Sequence, residues 1–232
     1  MQSSPPAGRL KGRLGKVKQR YIKSENRKWL IGYLFLNIVI FALFASLINF
    51  NLTNADQLVS KLKNPQGFIP LTAAILIIVL EGLFKNSVKE FLVFWRLKNR
   101  LPGHRAFTKI GPNDSRIDME KVKALFPDGL PVDPKKQNSE WFQLYREYQD
   151  ELQVFYSHKA FLVTRDLASL TVVFIPLSIF GHFLLGTPTQ MVGYHLSILV
   201  ILFVGISLSA RHYGERFVAN VLVEASINNS GG

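Results

Sequence analysis

The chain has 232 residues, 48% of them hydrophobic, a formal net charge of +12 and no cysteine. One ordinary globular domain would show the same averages, but the missing cysteine excludes a disulfide framework, a thiolate nucleophile and any Cys-ligated zinc or iron–sulfur site. The positive charge invites a nucleic-acid partner, yet nine of the 28 Lys and Arg precede the first long apolar run, with Glu25 the only acid among them. That placement orients a membrane protein and makes nucleic acid an unlikely ligand class.

Residues 1–28 form a basic N-terminal segment in which Leu10, Leu14, Val17 and Tyr21 recur at helical spacing. Arg9, Lys11, Arg13, Lys16, Lys18 and Arg20 are candidate lipid-headgroup contacts on an anionic inner leaflet, at about 1 kcal/mol for each basic residue near the surface. Gly8, Gly12 and Gly15 weaken that helix, and a positive-inside tail reads equally well. A mitochondrial presequence has the same composition, so the mitochondrial inner membrane is the alternative to a bacterial inner membrane.

Asp, Glu, Lys and Arg are absent from residues 29–55 and again from 167–210. Crossing a hydrocarbon core of about 30 Å takes about 20 such residues, which predicts spans over 29–50, 68–85, 167–186 and 190–210. The first lacks the small-residue cleavage pattern of a secretory signal. In the second, Glu81 lies 13 residues past Phe68, within the inner half of the bilayer, where an ionisable residue is by default a functional candidate. Lys85, one turn on, offers the plainer reading of a snorkelling ion pair. Gly186 and Pro188 make the turn between spans three and four, and the flanking His182 and His195 should reach similar depth as a weak proton-relay or metal pair.

Basic residues set the orientation. The 51–67 loop has only Lys61 and Lys63 and the 186–190 turn none, against fifteen from Lys85 to Arg165. Both termini and the 86–166 region are therefore expected on the cytoplasmic side.

That cytosolic region should carry the helix of span two onward to Arg100, a short helix from Ser115 to Phe126, a turn-rich stretch from Pro127 to Pro134, and a helix capped by Ser139 that enters span three unbroken. Its aromatic stripe, with Trp141, Tyr145 and Tyr148, either supplies buried area or binds a partner. Residues 211–232 remain as a cytosolic tail. Two phrases, RLPGHRAF at 100–107 and RHYGERFVANVLVE at 211–224, stand out as motif-like. Asp114, Asp118 and Glu120 with His104 are the nearest approach to a catalytic cluster, but no nucleotide loop, zincin or nucleophile-elbow pattern is present. An acid-rich helix N-terminus explains them.

The expected fold is all-α: a polytopic membrane protein of four transmembrane helices with a cytosolic helical stalk and cap inserted between the second and third. The expected function is non-enzymatic and cofactor-free. It is that of an oligomeric sensor, effector or scaffold whose cytosolic domain binds a partner or ligand, with membrane perturbation or a pore as one output by analogy with bacterial defence effectors. A transporter or ion-channel subunit is the alternative.

Overall fold

A chain in hydrocarbon must satisfy every backbone N–H and C=O within itself, so charge-free runs of this length fold as helices. The computed structural model describes residue 26, residues 28–45 and residues 84–228. The candidate headgroup contacts Arg9, Lys11, Arg13, Lys16, Lys18 and Arg20, the 51–67 loop and residues 68–83 of span two, Glu81 among them, lie outside the described residues. Among the described residues the regular structure is all helical: α1 (Lys28–Ala45), α2 (Asn86–Phe94), α3 (Met119–Ala124), α4 (Pro134–Tyr148), α5 (Leu152–Leu184) and α6 (Thr189–Asn228). Three successive short helical turns, the first 3₁₀, the second π and the third α, carry the chain from Pro102 to Asn113.

Three helices, α1, α5 and α6, are long and apolar enough to cross a membrane. Their outward faces carry large apolar side chains, among them Phe35, Phe180, Phe183, Ile201 and Leu208, each at least half exposed. A soluble monomer rarely shows so much contiguous apolar surface, whereas lipid covers it. Between the three helices Leu34, Leu170, Val173, Phe174 and Leu199 are buried together, and Tyr33 and Thr171 join hydroxyls at 2.7 Å across α1 and α5.

The 33 residues of α5 rise about 50 Å and the 40 of α6 about 60 Å, so both overshoot a hydrocarbon core of about 30 Å by several turns. They meet at the short turn around Gly186, where φ is +62°, so both overshoot at the opposite end. There they build a second core: Ala106, Phe107, Ile117, Val122, Trp141, Tyr145 and Val154 close on Phe217, Val218, Val221 and Leu222 of α6. Residues 211–228, expected as a tail, are thus the last turns of α6 and the centre of this domain.

Several expected boundaries move. Lys85 is extended (φ −59°, ψ 145°) and caps α2, so α2 starts anew and does not continue span two. This helix stops at Phe94 rather than Arg100, because Trp95 turns left-handed at φ 50°. Asp118, not Ser115, caps α3 by accepting from Lys121 N–H. Asp133 with Pro134 behind it, not Ser139, starts α4. The expected unbroken helix from 139 into span three is interrupted at Gln149–Glu151, where Glu151 is extended (ψ 138°) and caps α5.

Candidate functional site

The two motif-like phrases meet in space at the end of the charge-free run, where the helical domain joins the apolar helices. In the first phrase, Pro102 and Gly103 turn the chain hard against α4: a Cβ on Gly103 would sit 2.5 Å from Asn138 Oδ1 and 2.9 Å from Trp141 Cε3. The turn is latched by Gln137, whose buried Oε1 accepts from Phe107 N, Thr108 N and Thr108 Oγ1 at 3.2–3.3 Å while its Nε2 donates to Val132 O at 2.9 Å. His104 Nδ1 pairs with Pro134 O at 2.8 Å. So held, Arg105 points at α6, its Nη2 3.8 Å from Glu215 of the second phrase.

Arg211, first residue past the charge-free run, ties α2 to α6. Its Nε donates to Val93 O, and Ser207 reaches Leu92 O, so α6 satisfies the last carbonyls of α2. The Arg211 guanidinium also lies 3.9 Å from the centroid of the Trp95 ring. A tryptophan at positive φ is uncommon, and such a conformation persists only where its surroundings hold it. Close backbone approach completes the joint, since a Cβ on Gly214 would meet Phe94 and Phe161 rings at 3.1–3.2 Å. On the other side of α2, buried Lys89 pairs with Asp166 at 3.2 Å, and Arg165 shares the same carboxylate oxygen at 3.0 Å.

The electrostatics are unbalanced. Burial, then the neighbouring Arg96, push the Arg105 pKa below its usual value, and Glu215 only partly opposes them. Burial raises the Glu90 carboxyl above the ordinary range, against the pull of Arg165, Arg100 and His104. Arg105 Nε and Nη1 and Arg211 Nη2 are buried without a hydrogen-bond partner.

No family model, curated protein or solved structure matches the chain.

His182 and His195 are brought together as the turn implied: His182 Nε2 and His195 Nδ1 are 2.9 Å apart, and both side chains are buried. His182 Nδ1 also contacts Thr187 Oγ1 at 3.1 Å, and Phe41 and Phe44 of α1 pack on the two imidazoles. At 2.9 Å the facing nitrogens share a hydrogen bond and leave no room for a bridging metal. Among the described residues, no group of three or more His, Asp or Glu could hold a metal ion.

Trp141 and Tyr145, expected to bind a partner or supply buried area, take the second role. Both are buried, Trp141 Nε1 donating to Val218 O at 3.3 Å, and Phe217 meets both rings edge-on. Tyr148 is half-buried against the same core. His158 stacks on Phe217 at 4.6 Å and its Nδ1 lies 3.1 Å from Tyr145 Oη. Burial moves the two in opposite directions, His158 down to about 4 with help from Arg165 and Tyr145 up to about 12 with help from Asp150.

Of the acidic residues, Asp114 forms a two-oxygen pair with Arg116 that holds its pKa below the usual range, and Asp118 is spent as a cap. Lys85 is exposed. The cap also bears an open cleft of about 500 Å³ between α4 and the loop after α3, lined by Phe126, Pro131, Lys136, Glu140 and Leu144 among others. Lys89, Arg105, Gln137, Asp166 and Arg211 were not singled out by the sequence; the two phrases carry Arg105 and Arg211, and no local pattern marks the others.

Proposed function

We propose that the chain is a non-enzymatic, multi-pass protein of the bacterial inner membrane, with both termini cytoplasmic. Its cytosolic helical domain binds a partner or small ligand and passes that event to an oligomeric four-helix membrane region, as sensor, effector or scaffold. Membrane perturbation or pore opening is its output, and the anionic inner leaflet is its surface.

One observation carries the reading. The helices α5 and α6 pass without a break from the apolar region into the domain, and Phe217, Val218, Ala219, Val221, Leu222 and Val223 of α6 are themselves part of the domain core. A shift of the cap against α6 therefore moves the same rigid helix that faces lipid, which is the two-state coupling a sensor needs. The cap cleft, with Lys136 and Glu140 on its wall, offers a place for the ligand.

Affinity purification of the full chain in mild detergent tests this, comparing wild type with Leu144→Trp, which fills the cleft. A species held by wild type and lost from the variant supports the cap as receiver; the same species on both overturns it. A membrane-potential dye on cells expressing wild type, Glu81→Gln and Lys85→Gln separates the second reading, a transporter or ion-channel subunit. That reading is favoured by the position of Glu81 within span two. It requires Glu81→Gln to alter conductance with abundance intact, and equal behaviour of all three removes it.

A further inference from the structure

Charge, burial and position single out one place on the described surface. Arg105 has a side chain only 15% exposed, with Nε and Nη1 buried and unpartnered; Arg211 leaves Nη2 in the same state. Glu215 faces Arg105 at 3.8 Å and lies one helical turn past Arg211 on α6, and Arg96, exposed, follows directly on the Trp95 whose ring Arg211 covers. Two partly buried guanidiniums, with the exposed Arg96 near them, against one half-exposed carboxylate leave a net charge of about +2, and the desolvation cost of the two buried ones calls for an anionic acceptor. Glu215 is a weak place-holder, half exposed and 3.8 Å from Arg105, beyond hydrogen-bonding reach. An incoming oxyanion can take its place.

We propose that Arg105, Arg211 and Arg96 form a phosphate-binding notch that takes the headgroup of an anionic phospholipid at the membrane boundary. Guanidinium forks match the oxygens of a phosphate, and two forks plus a third charge suit a phosphodiester. Depth favours a lipid over a free phosphate. Arg211 follows directly on the charge-free residues 167–210, and Trp95 beside it and Leu97 two residues on are exposed at 50% and 78%, apolar side chains of the kind found at headgroup level. Because Arg211 also holds the end of α2 and Arg105 ends the 102–105 turn, a bound headgroup would brace the joint between domain and membrane helices. The inference rests on α6 lying in a bilayer, not on what the cap binds.

The test uses the full chain in mild detergent, with native mass spectrometry against phosphatidylglycerol, phosphatidylcholine and inorganic phosphate. Wild type should retain phosphatidylglycerol over phosphatidylcholine. Arg105→Gln should weaken that binding about tenfold or more, and Arg105→Lys less. Glu215→Gln, an exposed change that spares the fold, should tighten it by removing the competitor. Equal retention of the two lipids, or no change in both Arg105→Gln and Glu215→Gln, overturns the proposal. Displacement of lipid by millimolar inorganic phosphate overturns the lipid assignment in favour of a soluble phosphate ligand. Extraction of the chain from vesicles by alkaline carbonate would instead show that the membrane reading itself fails.

Discussion

Replacing Gln137 by Leu should loosen the turn that presents Arg105. The amide is 1% exposed and makes four hydrogen bonds, three accepted by Oε1 and one donated by Nε2. Leucine fills similar volume but leaves Phe107 N–H buried and Val132 O short of a donor; Thr108, exposed, can turn to water. Val132 is 77% exposed, so its carbonyl also finds water, and at about 1–3 kcal/mol for the one buried group left unpaired the loss is about 2 kcal/mol. For a chain of this length that corresponds to about 4–8 °C in unfolding midpoint. The assay is resistance of the detergent-solubilised chain to protease across temperature, followed by the fragment cut between α2 and α4. A second substitution sharpens it: Thr108→Ala should cost under about 1 kcal/mol in wild type and nothing in Gln137→Leu, because the shared acceptor is already gone. A midpoint for Gln137→Leu within 1–2 °C of wild type, or full additivity of the pair, would refute the latch.

Three further outcomes follow from the geometry. His158 is held neutral when folded, down to about pH 4, whereas the unfolded chain takes up that proton near its ordinary 6.5. Its contribution is therefore complete above pH 6.5 and lost as pH falls toward 4, at most about 3 kcal/mol, and acid unfolding of His158→Phe should show a shallower slope over that window. For the histidine pair, His195→Leu alone strands His182 Nε2 and should destabilise by about 1–3 kcal/mol, while the double His182→Leu, His195→Leu should cost less than the two single changes summed. Additive losses would mean that the imidazoles do not depend on each other. Phosphatase fusions after residues 58 and 130 should be active and silent in that order, and the reverse would sink the cytoplasmic placement of the helical domain.

What could be read from the chain was whatever each segment states about itself. The apolar runs at 29–50, 167–186 and 190–210 carry their own signal, since a span is chosen by its own lack of charge; α1 takes up the first as far as Ala45, α5 the second as far as Leu184, and α6 covers the third. The depth match of His182 and His195 was legible for the same reason, as it needs only a tight turn and a constant helical rise. The joint was not. Lys89 meets Asp166 and Arg211 meets Val93 from more than 70 residues away, and no local spacing announces such pairs.

The last turns of α6 explain best why a correct reading of hydropathy still missed the domain core. In 217–226 every residue but Glu224 is buried, including Asn220, which accepts from Arg116 and donates to Gln153 O. A helix covered on all sides has no polar face, so it shows no 3.6-residue period, and a stretch without a period reads as tail. The information lay in the absence of that period. FVANVLV holds no charge, yet it follows Arg211, Glu215 and Arg216 and is too short to cross a bilayer again. An apolar helix that lipid cannot cover must be covered by protein, and the protein available is α4, Val154 of α5 and the turn that carries Arg105. The same necessity that hides these residues from pattern reading makes the membrane helix and the domain core a single rod.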